Sequence, residues 1–404
     1  MMMVAFLAQN CAIGMNFGIY GTIVGALETS YDTNRALAAS GLAVMTTVMG
    51  VLSPLVGSLI RRHSIRTLML VGTLVNAVGY VLLAVAPTIE AVLAIYGLII
   101  GPGVCLLGVI PASTLVNNWF LTGRGKALGF VNMPVFVCIF PLATATLLPR
   151  FGLPGVFAMA AIVSLALVPL LLTVVSAPAE RGLLRYGEGA AGASGADSGH
   201  VAESGPILSS REIHASRAFQ VIWLGIGLLT AGGVMMTTHI VPLAMEKGLA
   251  LQPASLLLSA FGISAAAGAL LFGWIADRIG GRRAIVAQAL SWTVPWTAML
   301  LIGPALLPLI AVAASLGLIS GAIVGLCAVI VSAWLGPQNF APAMGSVYFY
   351  KVPFLFGASP LAGFLFDRTG SYDAALILHI ATFLFVGAMF AFYRPRAAGE
   401  SALS

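Results

Sequence analysis

A lysine stands in the middle of one of the most apolar regions of the chain. The segment Tyr348-Phe349-Tyr350-Lys351-Val352-Pro353 places Lys351 well inside the apolar run 341–366. A lysine at the centre of a membrane helix costs about 2.5–3.5 kcal/mol on insertion scales, so it normally faces a cavity or a partner and marks function. No Asp or Glu lies comparably deep in any apolar run. The sequence therefore predicts an anion-binding group, with a lysine paired to backbone carbonyls as the alternative.

A histidine is the second candidate. His239 follows Thr237 and Thr238 and precedes Pro242, which would kink a helix at this point. Histidine titrates close to physiological pH, so His239 could bind the substrate or carry a proton. A hydrogen-bonded packing histidine accounts for the same pattern equally well.

Polar side chains also recur along the first apolar run. Asn10, Asn16 and Tyr20 are six and four residues apart, close to one face of a helix. We expect this face to line a cavity, and hydrogen bonding between helices is the alternative.

Three further residues are lesser candidates for the site. Tyr348 and Tyr350 flank the lysine, and they cannot both face it because residues two apart point to different sides of a helix. Asn132 precedes Pro134 and Pro141, which predicts a bent fifth helix. His379 is expected to pack within the last run or at its lipid edge.

Other chemistry lacks the residues that it needs. No glycine-rich loop ends in Lys-Ser or Lys-Thr, so an ATP-driven motor is not expected. No Cys/His cluster has metal-ligand spacing, and nothing in the spacing of Ser264 and His239 supports a hydrolase. We predict no enzyme, no cofactor and no metal site.

The composition defines the elements that must position these residues. Of 404 residues, 60% are hydrophobic and 8% are charged, and the mean hydropathy is +1.03. Soluble domains carry about 25% charged residues, which excludes a cytosolic enzyme, a secreted domain and a disordered regulator. Long apolar runs satisfy their backbone in lipid as helices. The sequence predicts an all-α membrane protein with twelve spans, at 3–28, 36–60, 66–87, 91–117, 125–149, 154–176, 218–245, 253–276, 284–303, 306–334, 341–366 and 373–393.

The distribution of basic residues predicts the orientation. With both termini in the cytoplasm, fourteen of the 19 Lys and Arg residues fall on the cytoplasmic side, as the positive-inside rule requires. The net charge of +6 is thus explained by topology, and nucleic acid is not needed as a partner. The first run is expected to be a retained helix because no cleavable signal pattern precedes it. A multi-pass protein of the plasma or bacterial inner membrane is predicted.

One segment resembles a soluble linker. Residues 177–217 contain a stretch rich in Gly, Ala and Ser, which is typical of a flexible connection. We predict an N-terminal six-helix bundle at 1–176, this cytoplasmic linker, and a C-terminal six-helix bundle at 218–404. The end of the linker, Ser209 to Arg217, is expected to form a short interfacial helix with Ser209 or Ser210 as its cap.

The two halves repeat each other at an offset of about 216 residues. Four landmarks show the repeat: Gly57 with Gly273, Trp119 with Trp334, Gly129 with Gly345, and Arg150 with Arg368. Each half has an even number of predicted spans, so the repeat is parallel. This arrangement is typical of transporters with a substrate site near mid-membrane between the halves.

The loop after the eighth span carries a family resemblance. The run Gly273-Trp-Ile-Ala-Asp277-Arg278-Ile-Gly280-Gly281-Arg282-Arg283 resembles the loop signature of the major facilitator superfamily at every position. Three further stretches look like the monocarboxylate transporter and oxalate/formate antiporter branch; they are 118–129, 239–242 and 363–372. The resemblance covers essentially the whole chain and implies two six-helix bundles that work by alternating access.

The resemblance also bears on the substrate. In the oxalate/formate antiporter and its relatives, this helix carries a substrate-binding lysine six residues after a glycine, and Gly345 and Lys351 match that spacing. Many members carry an arginine in the eighth span where this chain has Ala269. Valines such as Val109 and Val135 stand near the positions of the aromatic box. One cation in a cavity of this kind suggests a monoanion with a hydrophobic or hydroxylated body.

The signature loop implies a cytoplasmic gate. A carboxylate at a helix end, Asp277, can pair with a cation or a helix N-terminus and hold the cytoplasmic side shut. Arg278 and Arg282 keep the loop inside and are counted with the gate. In the first copy Arg61 replaces the acid, so the latch is expected to be asymmetric. The alternative is that these residues serve topology alone.

The predicted function is secondary active transport of a small organic anion of the monocarboxylate class. Proton coupling and exchange are both left open. The expected partners are this anion, protons and the lipid bilayer, and a monomer is expected. Two alternatives remain: efflux of amphipathic drugs or metabolites within the same fold, and a membrane receptor or sensor that does not transport.

Overall fold

The computed structural model describes residues 1–188 and 206–394, and these residues are almost entirely helical. Within them no β-strand forms, and the sheet-like pairing is confined to one isolated bridge between Phe120 and Tyr186. This agrees with the predicted all-α class, since a chain in lipid must satisfy its backbone groups within each segment. The α-helices in chain order are α1 (Met2–Gln9), α2 (Met15–Ser30), α3 (Arg35–Leu59), α4 (Ile65–Ala84), α5 (Ile89–Ile95), α6 (Gly101–Leu107), α7 (Val109–Trp119), α8 (Arg124–Val131), α9 (Val135–Leu172), α10 (Ser210–Ala215), α11 (Arg217–Glu246), α12 (Leu251–Ile279), α13 (Gly281–Leu301), α14 (Leu306–Ser320), α15 (Ile323–Leu335), α16 (Phe340–Tyr350), α17 (Val352–Thr369) and α18 (Asp373–Phe392).

Eleven helical stretches within the described residues are long and apolar enough to cross a membrane. One of them, Arg124–Leu172, has 49 residues. A straight helix of that length would measure about 74 Å, more than twice the hydrocarbon thickness of about 30 Å. Gly152 interrupts it with φ 64° and ψ −167°, where the sequence predicts the turn between the fifth and sixth spans. The count of twelve crossings and the cytoplasmic position of both termini stay predictions.

Several crossings are built from two helical pieces. The predicted bend in the fifth span lies at Asn132, where α8 has ended and before α9 begins. A π-helical turn, Asn10–Gly14, joins α1 to α2, and a second one, Tyr96–Ile100, joins α5 to α6. Such turns occur mostly at functional positions. The sequence gives no periodicity signal for either of them.

Contacts divide the described residues into two compact units. One contains Met1–Thr122, residues 134–188 and Ala341–Phe349. The other contains Gly123–Met133, residues 206–340 and 350–394. The units follow the predicted halves apart from two short segments, 123–133 and 341–349, which pack with helices of the opposite half of the sequence. The predicted domain boundaries stay a prediction.

Both described ends of the linker are attached to their own unit. At its start, the Tyr186 N–H donates to the Trp119 carbonyl at 2.9 Å. At its end, the Leu208 N–H donates to Asn339 Oδ1 at 2.9 Å. Helix α10 then begins after Ser209, whose side chain accepts from the Glu212 N–H. The Glu212 carboxylate in turn accepts from the Ser209 N–H. The short helix with a Ser209 cap therefore agrees with the sequence, while the rest of the Gly-rich stretch, 189–205, lies outside the described residues.

Glycines allow α12 and α14 to approach closely. A Cβ added at Gly268 would collide with the backbone of Leu318, and one added at Gly317 or Gly321 would collide with carbonyls of α12. Small residues at such crossings let helices pack by van der Waals contact, which is a main source of helix association in lipid. This pair of helices is therefore held by shape, with few polar contacts.

Substitution of Gly268 tests this close packing. Gly268→Ala is expected to lower the unfolding midpoint of the purified protein, because overpacking costs about 1–3 kcal/mol. Gly262→Ala on the same helix is the matched control, since nothing lies within 4 Å of its added Cβ. Equal unfolding midpoints for the two variants would contradict the proposed packing.

Candidate functional site

Lys351 lies at a break in its membrane-crossing helix. It separates α16 from α17 near the middle of the span Pro337–Thr369. Pro353 has no N–H to donate to the carbonyl four residues earlier, so a regular helix cannot run through this point. The Lys351 carbonyl instead accepts from the N–H groups of Phe354 and Leu355, at 3.1 and 3.0 Å. The lysine predicted inside a helix is thus placed at the start of a new one.

A thiol lies near Lys351, and aromatic rings pack around the residue that precedes it. The half-buried ammonium group lies within electrostatic range of the buried Cys327 thiol on α15. The preceding ring, Tyr350, packs on Trp223 with 5.2 Å between centroids and edge-on against His214 at 5.5 Å. His214 belongs to α10, so the end of the linker touches the residue next to the lysine.

The two tyrosines that flank the lysine point to different places, as their spacing predicts. Tyr350 joins the aromatic cluster just described. Tyr348 is buried in the other unit and lines a cavity of about 10 Å³ with Ser53 and Cys105. A cavity of this size holds one water at most. A substrate-binding role for Tyr348 stays a prediction.

His239 joins three elements of the second unit. Its Nε2 lies 3.1 Å from the Ser359 carbonyl oxygen and 3.0 Å from Ser359 Oγ. Its Nδ1 lies 3.0 Å from the Tyr372 hydroxyl. A carbonyl oxygen can only accept, so Nε2 carries the proton and the Tyr372 hydroxyl donates to Nδ1. Both ring nitrogens are used, which favours the packing alternative, and a substrate-binding role stays a prediction.

The tyrosine partner of His239 is held in its donor form. Burial raises the pKa of the Tyr372 hydroxyl, and the carboxylates of Glu246 and Asp367 raise it further. The Tyr372 N–H also donates to Glu246 Oε2 at 3.3 Å. The end of α11 is thus fixed to the start of α18.

The polar face of the first span is occupied by helix contacts. The Tyr20 hydroxyl donates to the Ala38 carbonyl at 2.7 Å and accepts from the Gly41 N–H at 2.9 Å, both on α3. Asn16 is fully buried and donates to the Ala12 carbonyl at 2.7 Å. These side chains are enclosed in this structure, and the geometry favours the alternative of interhelical hydrogen bonding at Tyr20. A cavity-lining role for this face stays a prediction.

Asn10 and Asn132 lie at junctions between helical segments. Asn10 Oδ1 accepts from the Phe136 N–H at 2.9 Å, close to the start of α9, where the first backbone N–H groups have no helical partner. The Asn132 amide donates to the Leu128 carbonyl at 2.8 Å at the end of α8. Both side chains satisfy backbone groups where a helix begins or ends.

Sequence reasoning missed a cluster of buried tyrosines in the first unit. Tyr20 and Tyr96 meet edge to face with 5.0 Å between ring centroids. Tyr96 opens the second π-helical turn, and Tyr80 is likewise fully buried. Tyrosines scattered over three apolar runs carry no spacing signal, so only the fold brings them together.

Asp277 is placed as a gate residue requires. Its carboxylate oxygens accept from the backbone N–H groups of Gly125 and Lys126, at 2.6 and 2.9 Å, at the beginning of α8. A carboxylate here neutralises the positive end of the helix dipole and satisfies two N–H groups that have no helical partner. The predicted pairing with a helix N-terminus is therefore present in this structure, while its role as a gate stays a prediction.

Glycines bring α8 and α12 together behind this contact. A Cβ at Gly125 would collide with the Gly273 carbonyl, and a Cβ at Gly129 would collide with the Ala269 carbonyl. Ala269, where many relatives of the predicted branch carry arginine, is buried in this contact.

The basic residues of the predicted gate have other contacts. The Arg278 guanidinium lies 3.9 Å above the Trp274 ring centre. Arg282 Nη1 donates to the Ala391 carbonyl at 3.0 Å, at the C-terminal end of α18. A cation at a helix C-terminus is stabilised by the helix dipole. Arg61 is exposed at the end of the first-copy helix, and its role in the gate stays a prediction.

The described residues combine eleven apolar helices of membrane-crossing length with a lysine at a break in one of them. The family model of the Major Facilitator Superfamily matches residues 6–252 and 226–404. The chain belongs to the Major Facilitator Superfamily. It is therefore a multi-pass membrane transporter and not an enzyme.

Among curated proteins, the chain is similar to several named transporters. The chain is 25% identical to "Monocarboxylate transporter 10" of Mus musculus over 90% of this chain and 73% of that protein. It is 27% identical to "Monocarboxylate transporter 12-B" of Danio rerio over 80% and 72%. An "MFS-type transporter" of Gibberella moniliformis is 24% identical over 95% and 89%.

Solved structures agree on the fold. The proton:xylose symporter XylE superposes with a TM-score of 0.75 at 14% identity, covering 98% of this chain and 96% of that one. The human organic anion transporter MFSD10 gives 0.70 at 17% identity, covering 96% and 98%. At these identities the likeness concerns the fold alone.

Hydrogen exchange tests the contact of Asp277. In Asp277→Ala, deuterium uptake of a peptide containing Gly125 and Lys126 is expected to rise severalfold, because loss of the two bonds costs about 1 kcal/mol at this exposed position. Asp277→Asn should lie between, since one amide oxygen can still accept. Asp367→Ala removes another exposed carboxylate that does not bind these amides and serves as the control. Unchanged uptake in Asp277→Ala would rule out the contact.

Proposed function

We propose that this transporter carries a small organic anion, a monocarboxylate, with Lys351 as the group that binds the carboxylate. The observation that supports this most is the position of a cation at a helix break in mid-membrane. A carboxylate beside the ammonium group offsets the cost of a charge in a low-dielectric setting. The names of the relatives, two of them monocarboxylate transporters, point to the same substrate class.

The break itself suits an anion site. Discontinuous helices supply substrate sites in many secondary transporters, because the N-terminus of the second piece is the positive end of its dipole. Helix α17 begins directly after Lys351. The ammonium group and the dipole therefore favour the same negative charge.

A single negative charge is favoured over two. Ala269 stands where a second cation would be expected in the predicted branch, and its methyl group, buried in this structure, carries no charge. A dicarboxylate would then have one charge without a cation. Monoanions with an apolar or hydroxylated body fit the site better.

Alternating access is the proposed mechanism, with Asp277 as the cytoplasmic latch. The carboxylate bonds to Gly125 and Lys126 must break when the cytoplasmic side opens and must form again when it closes. The energy involved, of the order of 1 kcal/mol, is small enough for substrate binding to shift the equilibrium. The proposed setting is the cell membrane, and the proposed working form is a monomer.

Proton coupling and exchange are the two proposed ways to drive the cycle. His239, with Nδ1 as an acceptor from Tyr372, could take up a proton if that hydroxyl turned to accept instead. The proton could also travel on the substrate acid. Exchange of one anion for another needs no protonated side chain.

Transport assays on Lys351 variants test the proposal. Uptake of labelled acetate, pyruvate, lactate and an aromatic monocarboxylate is measured in proteoliposomes with and without a proton gradient. Lys351→Ala should reduce uptake of the accepted acid at least tenfold, since loss of a charge-assisted bond costs about 1.5–3 kcal/mol. Lys351→Arg should retain part of it, because the positive charge remains.

The controls separate the alternatives. Lys247→Gln removes a lysine at the end of α11, where it donates to the Ile302 carbonyl, and should leave uptake near the wild-type rate. Normal carboxylate uptake by Lys351→Ala would exclude the proposed site. Export of amphipathic cations without carboxylate uptake would favour drug efflux, and binding of a carboxylate without any flux would favour a receptor.

A further inference from the structure

A second cavity lies in the second unit between α11, α17 and α18, and Lys351 is not among its lining residues. It has a volume of about 330 Å³, enough for roughly ten water-sized groups. Its walls are almost wholly apolar and include Leu228, Phe354, Leu361 and Leu378. The polar side chains in its lining are those of His379 and Thr382, whereas a buried water needs about two to four polar partners. The cavity is therefore suited to hydrocarbon.

One buried polar side chain lines this cavity. His379 is only 5% exposed, and its ring stacks on Trp296 with 5.0 Å between centroids. Its Nδ1 lies 2.8 Å from the Ala375 carbonyl, which can only accept, so Nδ1 carries the proton. In the neutral ring Nε2 is then an acceptor, and within residues 1–188 and 206–394 no side chain or backbone N–H donates to it. A buried acceptor of this kind favours a ligand that donates an O–H or N–H.

The cavity opens toward lipid. Leu361 and Leu378 line it and are also 44% and 42% exposed, within spans that cross the membrane. Large apolar side chains exposed at this depth contact acyl chains. A ligand can therefore enter sideways from the bilayer.

The dimensions of the cavity fit a ligand with a polar head group and a hydrocarbon tail. His379 is six residues from the Asp373 end of α18, roughly 9 Å along the helix. Along α17 the lining extends from Leu361 to Pro353, about 12 Å. A head group at His379 would leave apolar lining of that length for the part of the tail next to the head, and the rest of a long tail would stay in the bilayer.

From this arrangement we infer that the cavity binds a free long-chain carboxylic acid of the bilayer in its protonated form, with the acid O–H donating to His379 Nε2. A carboxyl group in apolar surroundings keeps its proton because the charged form is poorly solvated there. The protonated acid thus brings the donor that His379 lacks and the tail that the walls accept. The inference does not depend on the proposed anion site, which takes the ionised form at Lys351.

Tryptophan fluorescence offers a direct test. The protein in phosphatidylcholine nanodiscs is titrated with dibromostearic acid, whose bromines quench nearby indole rings, and with its methyl ester, which has no O–H. We expect saturable quenching by the acid that unlabelled stearic acid reverses, and about tenfold weaker binding of the ester, as expected for one lost hydrogen bond. Trp296→Phe should remove much of the saturable signal because Trp296 stacks on His379.

Three variants locate the binding. Gly357→Leu should abolish saturable quenching, since nothing lies within 4 Å of an added Cβ and the side chain would fill the cavity. Gly363→Leu, on the same helix with equally open space but outside the cavity, should bind like the wild type. His379→Leu should lose the preference for acid over ester.

Lys351→Ala keeps this test separate from the transport proposal, because it should leave the saturable quenching unchanged. Equal binding of acid and ester by the wild-type protein would overturn the inference without any variant. Saturable quenching that persists in Gly357→Leu, or that Lys351→Ala abolishes, would overturn it as well.

Discussion

Hydrocarbon cannot solvate a backbone N–H, a carbonyl or a charge, and most of this structure follows from that limit. Only 8% of the residues are charged, so most of the chain must lie in hydrocarbon or in the protein interior. Each apolar run must close its own hydrogen bonds as a helix, and each break needs compensation nearby. At Lys351 the carbonyl accepts two N–H groups of the next helix, and at the start of α8 a carboxylate accepts two more. The residues proposed to act in transport, Lys351 and Asp277, both form hydrogen bonds where helical bonding is interrupted.

Much of the fold could be predicted because the lipid environment acts on composition and local pattern. Apolar length indicated the spans, and the glycine at 152 and the prolines after Asn132 marked where helices turn or bend. The Ser209 cap was readable from its local motif. The π-helical turns could not be predicted, because they depend on partners such as the helix that packs beside them and leave no trace in residue spacing.

The candidate site was predictable to a lesser degree. Lys351 stood out because a charge in an apolar run is costly wherever the run folds. Tyr20, Asn16 and His239 could not be resolved, since the same polar residue can line a cavity or bond to a neighbouring helix. Their partners, such as the Ala38 carbonyl for Tyr20 and Tyr372 for His239, are far away in sequence. His379, expected to be a packing residue, does pack on Trp296, but its lining of a cavity needed the fold.

Comparison of the two repeat copies explains why the contact of a carboxylate with the start of α8 belongs to the copy that contains Asp277. Gly129 packs on the carbonyl of Ala269, and Gly345 packs on the carbonyl of Ser53. Moving both partners of the first contact by the repeat offset gives the second, so the two copies use the same backbone packing. At the next turn the copies differ, because Asp277 corresponds to Arg61. A cation cannot accept from a helix N-terminus and is repelled by its dipole. The shared glycines therefore set how closely the helices approach, while the acid gives one copy two hydrogen bonds that the basic residue of the other copy cannot accept.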